Sequence, residues 1–328
     1  MSSDALPLPS AWRHVVRWES VLALALIGSI VFNSSVSPYF LDPYTLSDAT
    51  FNFTEKALVA LPMALLIIAG QIDISVAAIM ALSSVAMGFA ATEGASTPVL
   101  IAVGLGTGMV AGMVNGALVT MCRVPSIVAT IGTMSLFRGI AYGVLGDRAL
   151  KDYPASFAFF GQGYVAGPLS FELVLFVVCA IGTALYLHFT VFGQRIYAIG
   201  AHSEVARFSG VRVQRYIFGL FVATGVAAGA ASILLTSRLG STRPSIAMGL
   251  ELEIISMVIL GGVAITGGRG TIVGVVLAAM FLGFVTFGLG LMNVPGIVMS
   301  VIMGTLLIIV VGAPLLIARL RGSTARVR

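Results

Sequence analysis

The sequence predicts an all-α polytopic membrane protein of about ten transmembrane helices, some short or broken, with both termini in the cytoplasm. Three observations carry that prediction. Hydrophobic residues fill 58% of the 328 positions and charged residues 9%, whereas soluble domains carry roughly 25% charged residues. A water-facing surface cannot be built from so few polar groups. Apolar runs of about 20 residues, the length a ~30 Å hydrocarbon core demands, recur along the chain. The basic residues fall in short connections and are unequally shared between the two sides of the membrane.

The runs place spans at 21–36, 57–69, 74–91, 98–120, 125–145, 168–188, 216–236, 250–265, 271–291 and 295–318. With both termini inside, the inner side holds Arg13, Arg17, Arg123, Arg195, Arg207, Arg212, Arg215, Arg269, Arg319, Arg321, Arg326 and Arg328. The outer side holds Lys56, Arg148, Lys151, Arg238 and Arg243, and Arg138 falls inside a span. Such a bias sets the orientation. It also accounts for the net charge of +5 without nucleic acid, because the charges form no stripe interleaved with aromatics. The chain reads as one membrane domain over 1–328, with no soluble domain appended. Its cytoplasmic parts are an N-terminal segment at 1–20, a basic loop at 192–215 and a basic tail at 319–328.

Taken in order, residues 1–20 place Arg13 and Arg17 ahead of an apolar run and read as an uncleaved signal anchor. Trp12 and Trp18 suit the interface beside it. The second span is short and stops at Gly70-Gln71-Ile72-Asp73. The fifth opens at Pro125 and contains Gly132, Arg138 and Gly139. The eighth is short, between Glu251 and Glu253 at one end and Gly261-Gly262 at the other. Short or interrupted spans predict broken helices, which persist at membrane depth only against protein or a wet cavity. In both halves of a chain they point to a transport pathway. Asp73 is placed to cap the N-terminus of the third span. In the fourth span Gly104, Gly108, Gly112 and Gly116 recur at every fourth position, a stripe that admits a close helix neighbour; Gly225 and Gly229 repeat it in the seventh. Cys122 and Cys179 offer neither a disulfide framework nor metal spacing and read as packing residues.

Catalytic readings fare poorly. The glycine-rich run from Gly261 to Thr271 has no Lys followed by Ser or Thr, so it is a tight turn and not a phosphate-binding loop. His14, His188 and His202 lie near span ends or in loops, where none can activate a buried serine, and no metal site is expected. Arg138, Glu251 and Glu253 are charges at or near membrane depth, where substrate contact, an internal ion pair and snorkelling all remain open. Gln71, Asp73, Asn115, Thr130, Thr133, Ser256, Thr286 and Asn293 are candidates to line a sugar-sized path, and interhelical hydrogen bonding explains each equally well. On the outer face Arg148, Lys151, Arg238 and Arg243 are candidates to meet acidic patches of an external partner.

The loop between the sixth and seventh spans is the most specific feature. Gly200 and Gly210 bracket Ala201-His202-Ser203-Glu204-Val205-Ala206-Arg207-Phe208-Ser209, where Ala201, Val205 and Phe208 share one helical face. This predicts a short amphipathic helix, lying on the bilayer or inserted into a cytoplasmic partner.

The run Phe192-Gly193-Gln194-Arg195-Ile196-Tyr197-Ala198-Ile199-Gly200, continued by Ala206-Arg207-Phe208-Ser209-Gly210-Val211, resembles the coupling loop of ribose-type sugar permeases of ABC importers. Gly70-Gln71-Ile72-Asp73-Ile74-Ser75-Val76, the run from Val124 to Thr133, and Gly261-Gly262 with Gly267-Gly268-Arg269-Gly270-Thr271 resemble that family too. Ala60-Leu61-Pro62-Met63 and the end of the loop are more similar to rhamnose or autoinducer-2 permeases. The resemblance implies a bacterial inner-membrane permease subunit with no catalytic site and no cofactor of its own. It implies cytoplasmic ABC ATPases that bind ATP and Mg, a periplasmic sugar-binding protein, and a second permease subunit, either a copy or a paralogue. It also implies that Ala201 to Gly210 couple the chain to the ATPase. Where the family commonly has Gly-Gly-Ile-Asp-Leu-Ser, this chain has Gln71 and Ile74. A proton-coupled carrier, using Asp73, Arg138, Glu251 and Glu253 as a relay, is the competing reading.

Overall fold

The computed structural model describes residues 18–299 with 301, 302, 304, 305 and 308. Residues 1–17 with Trp12, the basic tail and much of the tenth expected span lie outside the described residues. Helices α1 (Trp18–Val36), α2 (Pro43–Phe51), α3 (Thr54–Ile68), α4 (Val76–Thr92), α5 (Thr97–Thr120) and α6 (Ser126–Leu145) come first. A short helix α7 (Phe159–Gln162) and an antiparallel hairpin of β1 (Tyr164–Ala166) and β2 (Leu169–Ser170) lead into α8 (Phe171–Phe189). Then follow α9 (Val191–Ala201), α10 (Ser203–Phe208), α11 (Val213–Leu239), α12 (Leu250–Leu260) and α13 (Ile272–Leu291). Among the described residues six helices, α1, α5, α6, α8, α11 and α13, are long and apolar enough to cross a bilayer. The bent pair α2–α3 makes up to seven.

Burial sorts these helices. Every residue of α3 except Lys56 and Pro62 is buried, as expected for a helix that is apolar on all sides. Most of α4 is buried with it. By contrast few residues of α1, α6 and α8 are buried, and many of their apolar side chains are exposed where lipid would lie. The core is thus built from α3 and α4, each packed against the largely buried α11.

The predicted glycine stripe decides how α5 and α11 meet. A methyl group on Gly108 would overlap the backbone carbonyl of Gly225, and one on Gly229 would overlap the carbonyl of Gly104 at 2.6 Å. On Gly112 it would meet the carbonyl of Phe221, also at 2.6 Å. The predicted glycine stripe and the Gly225–Gly229 pair therefore face each other, backbone on backbone. Lipid offers no hydrophobic incentive for helices to associate, so this close van der Waals contact has to hold the pair.

The expected breaks are partly met. Helices α2 and α3 join at a bend of 55°, with the buried ring of Phe53 at the corner packed on Gly283. The second span ends at Ile68, and an irregular stretch runs through Gly70 (φ +78°) to Ser75. Helix α12 has only 11 residues. The fifth span is a correction: α6 runs unbroken from Ser126 to Leu145. Gly132 and Gly139 face open space, so neither of them marks a break. Trp18 is also more than an interfacial anchor. Its indole donates to the carbonyl of Leu260 at 2.7 Å and lies against Gly262, closing the C-terminal end of α12 with the start of α1. Cys179 is half-buried as packing predicts, whereas Cys122 is exposed; both are free thiols.

Candidate functional site

Three of the sequence motifs converge at the end of the bundle that carries the basic loop. Helix α9 crosses the end of α3 at Gly200, where a side chain would overlap the carbonyl of Ile68 and would lie 2.5 Å from the amide of Gly268. That amide donates to the Ile68 carbonyl at 2.8 Å, and the Tyr197 hydroxyl donates to the Gly270 carbonyl at 2.6 Å. The glycine-rich turn needs its residue type: Gly262, Gly267 and Gly268 all have φ between +75° and +86°, a region glycine enters freely. The end of α3, the loop helix and the turn are thereby one backbone-packed joint.

Beyond that joint the amphipathic helix differs from expectation. Ala201 ends α9, His202 breaks the helix at φ −156°, and α10 covers only Ser203–Phe208. The expected face of Ala201, Val205 and Phe208 is therefore split between two helices. Ala206 is the buried residue of α10 and packs inward, while Val205 and Phe208 are 63% and 82% exposed. Glu204 and Arg207 pair at 2.8 Å, and the Arg207 guanidinium lies 5.5 Å from the Phe208 ring centre. Ser209 and Gly210 (φ +84°) turn the chain toward α11. Gln71, Arg123, Glu204 and Arg207 line a cavity of about 680 Å³ beside this helix.

Deeper in, Asp73 organises a buried polar knot. One carboxylate oxygen accepts from the Ser75 amide at 2.8 Å and the Ser75 hydroxyl at 2.6 Å. The Asn115 amide donates to the other at 3.1 Å and to the Ser75 hydroxyl oxygen at 2.7 Å. This corrects the helix-cap reading: Asp73 makes a turn with Ser75, ahead of α4, and bonds no amide inside the helix. Thr130 reaches toward the Ile72 carbonyl at 3.5 Å from α6, with Thr133 one turn on. The knot thus ties α4, α5 and α6 around the irregular stretch 69–75. Of the path candidates, Asp73, Asn115 and Thr130 come together here.

Ser256 and Thr286 lie elsewhere, lining a cavity of about 420 Å³ with Lys56, Glu253 and Leu252. Asn293 sits past the end of α13, exposed and at φ +54°. The relay residues of a proton-coupled carrier fall into separate contacts, with Glu251 near Arg138. Lys56 pairs with Glu253 at 2.6 Å. Arg138 donates to the carbonyls of Pro244 and Ile246 at 2.8 Å each, and Asp73 is in the knot.

The end opposite the basic loop holds charges that sequence reasoning missed. Arg238 grips the buried Glu55 with two hydrogen bonds of 2.8 and 3.0 Å, so it is not a free docking charge. Glu172 is fully buried, and neither of its carboxylate oxygens has a hydrogen-bond partner among the described residues. The signal was a carboxylate and an arginine, Glu55 and Arg238, at span ends on the same side. Arg148, Lys151 and Arg243 are exposed there. Outside the spans, burial pushes the Tyr153 phenol up to about 12. A hydrogen bond to Asp48 pushes Tyr164 up to about 12 as well. No group of three or more metal-ligating side chains forms among the described residues.

The chain matches, over residues 46–311, the family described as branched-chain amino acid transport system / permease component. Autoinducer 2 import system permease protein LsrD of Escherichia coli strain K12 is 34% identical over 300 residues, covering 90% of this chain and 91% of that protein. The same protein from Shigella flexneri matches equally. No solved structure is a significant match. Relatives of this kind are transport components of the bacterial inner membrane that lack a catalytic site of their own. With multiple apolar helices around a buried core, this chain belongs to that family and is a multi-pass membrane permease subunit of the ribose-type ABC sugar importers.

Proposed function

We propose that the chain admits a monosaccharide or small polyol of the rhamnose, autoinducer-2 or ribose type into the cytoplasm. Separate ATPase subunits that bind ATP and Mg drive it, and a periplasmic sugar-binding protein feeds it. A second permease subunit, a copy or a paralogue, completes the pathway. The whole of 1–328 acts as one permease domain, with 192–215 as its coupling loop. The observation that supports this most is the joint at Gly200. A helix with Val205 and Phe208 exposed is fixed by backbone contact to the end of the most buried helix. A push on the residues from Ala201 to Gly210 therefore reaches α3 and the stretch 69–75 with little slack. Coupling requires that the ATPase contact this helix differently in its two states, because equal contact shifts nothing. Gln71, Asp73, Asn115, Thr130 and Thr133 are placed where that stretch moves, and Ser256 and Thr286 line a second candidate segment of the path.

The test is ATP-driven sugar uptake in proteoliposomes containing the permease, its ATPase and its binding protein. Arg207→Glu lowers uptake at least tenfold, while the unfolding temperature moves by no more than about 2 °C, as expected for an exposed site. Full uptake by that variant, with the ATPase still assembled, removes the coupling role. Collapse of the proton gradient at constant ATP leaves uptake intact; a halt would instead favour a secondary carrier.

A further inference from the structure

A third cavity, of about 880 Å³, opens between α8 and α11 near the basic loop, with Pro62 and Leu65 of α3 at its base. Its rim carries three guanidinium groups, those of Arg195, Arg212 and Arg215. None of the three pairs with a carboxylate among the described residues. Arg195 donates to the Tyr216 hydroxyl at 2.8 Å. Tyr186 and Phe192 stack with ring centres 6.0 Å apart, and Phe192 lies 6.1 Å from Tyr216. Phe189 and Phe192 beside it are exposed. Aromatic side chains gathered at the ends of spans mark the membrane interface. Deeper along the slot Gly182 and Gly219 line the wall, and each has open space where a side chain would be.

We propose that this crevice binds one anionic phospholipid, its phosphodiester held by Arg195, Arg212 and Arg215 and an acyl chain lying in the slot along Gly182 and Gly219. Guanidinium forks match phosphate oxygens in geometry and charge, and basic pockets between spans suit anionic headgroups. A free anion would use the arginines but leave the apolar slot empty. A lipid uses both halves. The site shares Arg195, Arg212 and Arg215 with the loop assigned to coupling, but lipid binding itself requires only that α8 and α11 span the bilayer. Its position, next to the Gly200 joint and behind α10, lets the bound lipid brace the coupling loop against the membrane.

The test uses the full-length protein purified in neutral detergent and exposed to phosphatidylglycerol or phosphatidylcholine, with bound lipid read by native mass spectrometry. The wild type retains one phosphatidylglycerol in preference to phosphatidylcholine. The triple variant Arg195→Gln, Arg212→Gln, Arg215→Gln weakens that retention by about 100-fold, at about 1 kcal/mol per arginine. Gly182→Leu weakens it with every charge kept. The double variant Arg148→Gln, Arg243→Gln, altered on the opposite face, behaves as wild type. Competition by glycerol phosphate as effective as by phosphatidylglycerol would overturn the proposal in favour of a free-phosphate site. Loss of the ATPase with lipid retention unchanged would overturn it in favour of a protein-docking surface. Should the triple variant fail to fold, Gly182→Leu and the competition in wild type still decide.

Discussion

The joints of α3 at the two ends of the bundle are made in different ways. At the basic end, α9, the end of α3 and the glycine-rich turn meet backbone to backbone, at Gly200, Ile68 and Gly268. At the other end, α2, α3, α8 and α11 meet through polar side chains: Thr50 with Ser170, Glu55 with Arg238, and the unpartnered Glu172. A contact between backbones has no rotamer to adjust, and close-packed interiors are poorly compressible, so they pass a displacement on as a body. A cluster of polar side chains can exchange partners as helices shift. The difference bears on the proposed coupling: a backbone joint would pass a displacement on, whereas side-chain pairs could re-form as helices shift.

The largest effect belongs to the backbone joint. Gly200→Val places side-chain atoms on the Ile68 carbonyl and costs more than about 3 kcal/mol through overpacking and the loss of the Gly268 to Ile68 hydrogen bond. A sharply lowered unfolding temperature checks it. Gly132→Val, where space is open, is the comparison and should have little effect. Equal losses in both would show that the joint is no more rigid than a lipid-facing helix.

The next effect tests the side-chain pairs. Glu55→Ala leaves the Arg238 guanidinium without its partner in a largely buried place, a loss of about 3–5 kcal/mol, measured by thermal unfolding in detergent. Glu172→Met removes a carboxyl group that no hydrogen bond satisfies and puts no polar group in its place. It should be neutral or stabilise by about 1 kcal/mol, since burying an unsatisfied polar group is costly. If Glu172→Met destabilises as much as Glu55→Ala, the cluster is a fixed lock, and the contrast between the two ends fails.

How much of this was legible in the sequence follows the same divide. Glycine spacing announced the α5–α11 contact, because a residue type that tolerates backbone approach is itself the signal. The glycine-rich turn and the basic loop were likewise visible in one stretch each. The side-chain knots were not. Asp73 and Asn115 lie 42 positions apart, and Glu55 and Arg238 lie 183 apart. Their meeting depends on the rotation of helices that are apolar on nearly every face and so carry little periodic information about register. Asp73 was read as a helix cap for this reason: its local spacing favoured one, and the partner on α5 that draws it inward was invisible. The break at His202 escaped for a different reason. Ala201, Val205 and Phe208 fit a continuous helix, and only the contact of Gly200 with α3 dictates where α9 must end.

The smallest effect concerns the outer rim, where Arg148, Lys151 and Arg243 are exposed and Arg238 is held by Glu55. If the sugar-binding protein docks there through acidic groups, neutralising Arg148 and Arg243 together slows its association a few-fold at low salt and leaves maximal uptake unchanged. Rim charges steer encounter more than they hold a complex, and at about 0.15 M salt the Debye length is already only about 8 Å. Association rates of the wild type and the double variant should therefore converge as salt is raised. A rate that ignores both salt and substitution would place the docking contact elsewhere on this end, and the exposed charges would then have no part in distinguishing it from the joint below.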